Sequence, residues 1–180
     1  SVIHELRNAG VEADVLTPVG SLRRFAPEVG DVRIFAAVET NARGRLLRTF
    51  TRLPSVREVP ALGDAGATIV TPRGEVTLHV ADPSQAGPAL IWLTGAVAHV
   101  HVLADLAAQR GLRFAAGALV VSGDTSVPCE TEEDFYALLD LPFIPPELRH
   151  GEDEIDAARE GRLPHLVADV HIRGDLHMHS

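Results

Sequence analysis

Residues 30–39, GDVRIFAAVE, form a predicted strand that opens with Asp31 and places Arg33 two positions later. Alternate residues of a strand lie on the same face, so these two side chains point the same way. Many metal-dependent enzymes have two carboxylates in such an arrangement, because paired carboxylates hold the ions that stabilise a phosphoryl group in transit. The arginine instead adds a fixed positive charge that could pair with Asp31 and weaken it as a ligand. The pattern therefore raises the question whether this strand can still do metal chemistry.

Residues 20–24, GSLRR, lie between a predicted strand and a predicted short helix over 22–27. Gly20 permits a tight turn, the Ser21 hydroxyl and a helix N-terminus offer donors, and Arg23 or Arg24 offers a planar fork for phosphate oxygens. This combination suits a triphosphate. Gly-Ser before a helix is also an ordinary cap, and both interpretations stay open.

Two pairs of histidines have the spacing HxH. On a predicted strand, His177 and His179 share a side, which is typical of the start of a metal site but also occurs by chance. In contrast, His99 and His101 fall in a predicted helix, where such positions diverge by about 200°. The second pair is therefore not a metal pair, and each of its members either packs, faces solvent or touches nucleic acid.

The elements that must position these residues fall into two groups. The first is rich in strands, and the second, after Asp82-Pro83, has helices broken at Thr94-Gly95 and two short strands around Gly117. A capping box at Thr131 begins a further helix. An acidic connector with one short helix follows, and the acidic start of that helix is expected to be solvated. The predicted elements of the first group are a helix over 2–8, strands over 11–19 and 31–39, a helix over 42–53, and three strands within 55–81, the last two joined by a hairpin at 72–74.

Composition narrows the class of protein. The 180 residues are 46% apolar and carry a net charge of −9, which argues against a protein that coats nucleic acid through general positive charge. The charge is uneven: residues 1–80 carry ten Arg against nine Asp and Glu, whereas residues 81–180 carry six against sixteen. Cys129 is the single cysteine, so no disulfide framework is expected. No apolar run reaches membrane-spanning length, so the protein is expected to be cytoplasmic, without a membrane partner.

In their order along the chain, these segments resemble the bacterial family X DNA polymerases that are fused to a C-terminal PHP phosphoesterase domain. The stretches LPFIPPELR (141–149) and IRGDLHMHS (172–180) are the most specific, and GSLRRFAPEVGD (20–31) is shared more loosely by nucleotidyltransferases. The resemblance implies an α+β fold with a nucleotidyltransferase-like palm, a mixed sheet with helices, and a small α/β thumb. The expected divisions are the palm at 1–82, the thumb at 83–148, a linker at 149–172 and the start of a truncated PHP domain at 173–180, in a segment of a longer protein.

The resemblance also assigns roles to residues. Asp31 matches the first metal-binding carboxylate and would be catalytic, but Arg33 and Thr77 fall where the family has its second and third. A single aspartate cannot hold two ions, so a degenerate site is expected, with Mn²⁺ or Mg²⁺ weakly held in the palm. Residues His177 and His179 would begin a PHP metal site that is incomplete in this chain. The implied nucleotide-binding residues are Gly20, Ser21, Arg24, Gly30, Trp92, Thr94 and Gly95, although Trp92 is also a candidate core residue.

Three functions stay open. The first is gap-filling DNA repair by a family X polymerase, with gapped or primer-template DNA, a deoxynucleoside triphosphate and the following PHP domain as partners. The second is a non-catalytic DNA- or nucleotide-binding module that positions substrate for a PHP phosphoesterase or nuclease. The third is an unrelated nucleotidyltransferase that modifies a small molecule. Glu28, Glu75 or Asp82 could replace a missing metal ligand in the first.

Overall fold

The structure, a computed structural model, describes residues 1–27, 31–121 and 125–166. A five-stranded mixed sheet with helices is followed by a helical unit with a two-stranded hairpin, which confirms the predicted α+β class. Within these residues, no helix is long and apolar enough to cross a membrane. Gly30, Glu28, His177 and His179 lie outside the described residues.

The helices and strands follow the predicted order, except that no helix lies between the first two strands in the described residues. In the first unit they are α1 (Val2–Asn8), β1 (Val15–Val19), β2 (Val32–Ala37), α2 (Thr40–Phe50), β3 (Glu58–Gly63), β4 (Gly66–Thr71) and β5 (Gly74–Ala81). The second unit comprises α3 (Ala86–Thr94), α4 (Val97–Gln109), β6 (Leu112–Ala115), β7 (Ala118–Val121), α5 (Glu132–Leu138) and α6 (Glu154–Arg159), with single 3₁₀ turns at Pro83–Gln85 and Pro146–Leu148.

The strand order of the large sheet is β1-β2-β5-β4-β3, with β2 and β5 parallel and the other neighbours antiparallel. The predicted hairpin between β4 and β5 is present, with Thr71 paired to Gly74. In the parallel pair, Arg33 lies beside Thr77, and Phe35 lies beside His79. Because register neighbours share a face, these four side chains lie on one side of the sheet.

Strand β2 separates two cores. Ile34 and Ala36 pack with α1 and α2, whereas Phe35 and Ala37 pack with α3 on the opposite face. This alternation follows from the two-residue period of a strand buried on both sides. A third core joins α3, α4, the small hairpin and α5 around Phe135. Since α3 covers only one end of the β2–β5 face, Arg33 and Thr77 remain partly exposed at the other end.

The prediction of a short helix over 22–27 is wrong, because residues 21–26 form only one helical turn. The Ala26 N–H donates to the Ser21 carbonyl at 3.0 Å, and the Phe25 N–H donates to the Leu22 carbonyl at 3.3 Å. These bonds are those of a Schellman motif, which ends a helix with a left-handed residue. Phe25, at φ 52° and 80% exposed, occupies the position that glycine usually takes. No helix N-terminus is therefore present to bind phosphate at this turn.

The acidic segment after residue 149 packs against the second unit. Arg149 and Glu154 are buried, and Ile155 and Ala158 belong to the third core. The expectation of a solvated helix start does not hold for Glu154, since its carboxylate accepts hydrogen bonds from the Gly151 and Glu152 N–H groups. The boundary between thumb and linker stays a prediction.

Candidate functional site

The centre of the candidate site is the pair Arg33 and Thr77 on adjacent strands. The next strand brings Thr68 beside Thr77, and their hydroxyl oxygens are 3.0 Å apart. Asp31 precedes β2 and is exposed. The predicted positions of the second and third carboxylates are thus neighbours in space, and both are occupied by residues that do not ligate divalent cations as carboxylates do.

The Arg33 side chain packs against the turn that follows β1. A Cβ placed on Gly20 would lie 3.2 Å from Nη2 of Arg33, and Gly20 has φ +73°. A side chain at position 20 would therefore meet both a strained backbone and the guanidinium. The Nε of Arg33 is buried without a hydrogen-bond partner. No ion pair joins Arg33 to Asp31 in the described part of the chain, so the pairing anticipated from the sequence does not form.

The residues present do not fit the pair of divalent ions that the resemblance implies. Two-metal phosphoryl transfer needs carboxylates that hold both ions about 3.5–4 Å apart. Across residues 1–27, 31–121 and 125–166, no group of three histidine, cysteine, aspartate or glutamate side chains could hold a metal ion. Glu75 and Asp82, the described candidates for a replacement ligand, form no such group either.

Arg24 extends from the turn after β1 to the end of α3. Its Nη1 donates to the Thr94 carbonyl oxygen, and its Nε is buried without a partner. Burial lowers the pKa of Arg24, and the positive charge of Arg33 lowers it further. The two guanidinium groups therefore lie close enough to repel each other.

Arg23 is engaged in a different contact. Its Nη1 and Nη2 donate to the two carboxylate oxygens of Glu132 at 2.8 and 2.6 Å, and Nη1 also donates to Oγ1 of Thr94 at 3.0 Å. The same carboxylate accepts from Arg149, whose side chain is fully buried. Burial raises the pKa of Glu132, but its hydrogen bonds and charge interactions with the two arginines outweigh burial and lower it overall. Of the two arginines in GSLRR, Arg23 thus joins the turn to α5, which leaves Arg24 as the candidate for phosphate.

The remaining predicted nucleotide-binding residues lie around the end of α3. Thr94 is fully buried, and a Cβ on Gly95 would lie 3.2 Å from Cδ2 of His99, so this glycine allows close packing of α3 and α4. Trp92 is 36% exposed and meets Phe114 edge-on, with ring centroids 5.4 Å apart. It is therefore a boundary residue rather than a core one. Ser21 is half-buried.

His99 belongs to a buried polar network that the sequence did not indicate. Its Nδ1 lies 2.6 Å from Oε1 of Glu154, and its Nε2 lies 2.9 Å from the Tyr136 hydroxyl. A neutral imidazole satisfies both contacts, with Nδ1–H donating to the carboxylate and the tyrosine O–H donating to Nε2. Burial lowers the pKa of His99, although Glu154 opposes the shift. His99 is thus packed, whereas His101 is exposed.

Sequence reasoning missed the residues of these networks, namely Glu132, Tyr136, Arg149 and Glu154. A weak signal existed for two of them, since Glu132 follows the N-cap Thr131 and Arg149 ends the proline-rich stretch LPFIPPELR. Neither signal reveals that the two side chains meet. A contact between residues on different elements requires the fold.

Comparisons with known proteins agree with the resemblance to a polymerase that the sequence motifs indicate. Residues 89–150 match the family model described as DNA polymerase beta thumb. This part of the chain, which contains α4, the small hairpin and α5, is therefore similar to a polymerase thumb.

One curated relative extends the similarity to the sheet. The chain is 30% identical over 165 residues to the DNA polymerase/3'-5' exonuclease PolX of Bacillus subtilis (strain 168). The match covers 89% of this chain and 28% of the relative, so the chain spans little more than a quarter of that protein's length. Together, the two comparisons confirm the resemblance to the family X DNA polymerases.

Proposed function

We propose that this chain is the palm and thumb segment of a DNA-directed DNA polymerase that acts in gap-filling repair, and that its two-metal site is degenerate. The observation that carries the proposal is the direct juxtaposition of Arg33 and Thr77 on the parallel strands β2 and β5. These are the two positions at which the resemblance calls for carboxylates.

Loss of turnover follows from charge. A guanidinium stays protonated at any pH at which the protein is folded, so Arg33 cannot be converted into a metal ligand. Asp31 alone would hold at most one ion, and an attacking and a leaving oxygen cannot both be stabilised by it. We infer that synthesis at this site is lost or severely weakened.

The assigned partners follow from the same resemblance. Gapped or primer-template DNA would bind between palm and thumb, and Ser21 and Arg24 would contact the nucleotide phosphates, with Gly30 approaching through its backbone. Trp92, Thr94 and Gly95 would lie beside the nucleotide sugar. A PHP domain would follow in the parent protein, with His177 and His179 among its first metal ligands.

A second candidate is a non-catalytic module that binds DNA or nucleotide and positions it for a PHP phosphoesterase or nuclease. The observation that favours it is the pair of guanidinium groups, Arg24 and Arg33, each with a buried Nε that has no partner. Such donors suit phosphate without requiring turnover. The acidic second half of the chain, in contrast, weakens attraction to DNA.

Primer extension on a gapped duplex by the full-length protein distinguishes the degenerate polymerase from the non-catalytic binding module. Wild type and Asp31→Asn are compared in Mg²⁺ and in Mn²⁺, with Asp64→Asn, an exposed aspartate in the β3–β4 turn, as the matched control. Weak Mn²⁺-dependent extension that only Asp31→Asn abolishes supports residual synthesis. Salt-dependent binding of gapped DNA with no extension supports the module. Efficient Mg²⁺-dependent extension contradicts the degenerate site, and failure to bind DNA contradicts both functions.

A further inference from the structure

Three nitrogen atoms around the β2–β5 face are buried and lack hydrogen-bond partners. They are Nε of Arg24, Nε of Arg33 and Nε2 of His79. Buried polar atoms in folded proteins nearly always have a hydrogen-bond partner, because an unpaired atom loses its hydration without a replacement. Three such atoms on one face therefore leave hydrogen-bonding capacity that no described residue fills.

The three side chains are neighbours. Arg33 and His79 lie on the same face of adjacent strands, two register pairs apart, since Arg33 is beside Thr77 and Phe35 is beside His79. The positive charge of Arg33 acts on both other groups, lowering the pKa of Arg24 and of His79 after the effect of burial. The Arg33 guanidinium also lies close to Gly20, where an added Cβ would be 3.2 Å from its Nη2.

Among the described residues, no carboxylate forms an ion pair with Arg24 or Arg33. Glu132 is occupied by Arg23 and Arg149. Because guanidinium groups are charged at neutral pH, two like charges lie close together here, and neither is paired with a carboxylate of the described residues. Asp31 is exposed at the edge of the face.

We propose that Arg24, Arg33 and His79 form a phosphate site that works without a metal ion. The guanidinium of Arg33 supplies, at the position of the missing carboxylates, the positive charge that a divalent ion would supply elsewhere, and Arg24 adds a second fork. Planar guanidinium groups match phosphate oxygens in two-pronged contacts, which gives geometric selection as well as charge. The inference rests on the proposed function for the source of the phosphate, a nucleoside triphosphate or the backbone of DNA.

The test is binding of inorganic tripolyphosphate to the full-length protein in EDTA, measured by calorimetry. We expect wild type to bind, Arg33→Gln to lose at least tenfold in affinity, and Arg33→Lys to lose less because it keeps the charge but not the fork. The matched control is Arg45→Gln, an exposed arginine on α2, which should change affinity less than twofold. Binding that requires added Mg²⁺ or Mn²⁺, or that Arg33→Gln leaves unchanged, overturns the proposal.

Two further arms identify the source of the phosphate, again in EDTA. A deoxynucleoside triphosphate and a 5′-phosphorylated gapped duplex are titrated against wild type and Arg33→Gln. The ligand whose affinity falls in the Arg33→Gln variant is the one whose phosphate occupies the site. If tripolyphosphate binding depends on Arg33 but neither arm does, the phosphate site stands and its place in the proposed function is overturned. If both ligands bind well but independently of Arg33, and tripolyphosphate does too, the site fails and the proposed function stands.

Discussion

Arg23 and Glu132, 109 residues apart in the chain, form a two-pronged ion pair with distances of 2.6 and 2.8 Å. The pair connects the turn after β1 to the start of α5, and the fully buried Arg149 shares its carboxylate. The turn that carries Ser21 and Arg24 is thereby fixed relative to the thumb-like domain.

We expect Glu132→Gln to be strongly destabilising. Removing one partner of a buried ion pair costs about 3–5 kcal/mol, because the other charge stays buried and unpaired. Here two arginines lose their partner, and Arg149 has no exposure to water. Denaturant unfolding measures the change, with Glu133→Gln, the exposed neighbour on the same helix, as the control at less than about 0.5 kcal/mol. Equal stability of the two variants would show that the ion pair does not hold the units together.

Acid should destabilise the thumb-like domain in two stages. The pKa of His99 is lowered from 6.5 by burial, so the unfolded chain binds more protons just below that pH and stability falls as the pH drops. The pKa of Glu132 is lowered from 4.5 overall, because its arginine partners outweigh burial, so a second loss begins below that value.

The first stage is tested by the pH dependence of the unfolding free energy between about pH 7 and 5. His99→Gln should reduce the slope, whereas His101→Gln, at an exposed histidine two positions away on α4, should leave it unchanged. Identical slopes for wild type and His99→Gln would contradict the buried, neutral state of this imidazole.

Arg33→Met should stabilise the protein in the absence of ligand. The substitution removes a buried Nε with no partner and the repulsion between Arg33 and Arg24, and it keeps an unbranched side chain against Gly20. A buried donor without a hydrogen-bond partner costs about 1–3 kcal/mol, and because the Arg33 side chain is partly exposed, we expect a gain near the lower end of that range, about 1 kcal/mol. Thermal melting of wild type and variant measures the gain, with Arg45→Met as the control. A loss of stability would indicate that Arg33 has a structural partner.

Local patterns predicted most of the fold. Three predicted features depend on residues that are close in sequence: the strand β2, the Pro-Arg-Gly hairpin and the capping box at Thr131. In the capping box, the Thr131 hydroxyl accepts a hydrogen bond from the Asp134 N–H. The prediction of a helix after Gly20 was wrong because it also relied on local sequence. The turn ends in a Schellman motif in which Phe25, not glycine, takes the left-handed position, so the sequence does not show where the turn ends.

The site was predicted less completely. The juxtaposition of positions 33 and 77 followed from the resemblance, and the register of β2 with β5 shows it directly. The pairing of Glu132 with Arg23 and Arg149, and of His99 with Glu154, could not be predicted, because these contacts join elements whose packing is set by the whole core. An acidic stretch such as 152–156 looks solvated until a buried histidine is found beside Glu154.

The central claim is that Arg33 and Thr77 replace the carboxylates of a two-metal site, and rebuilding them tests it most directly. Gap filling in Mg²⁺ is measured for full-length wild type, for the double variant Arg33→Asp with Thr77→Asp, and for the same double variant carrying Asp31→Asn, with retained folding checked by thermal melting. The account predicts at least tenfold faster extension by the double variant than by wild type, and its loss with Asp31→Asn. Efficient extension by wild type, with no gain from the two aspartates, would contradict it.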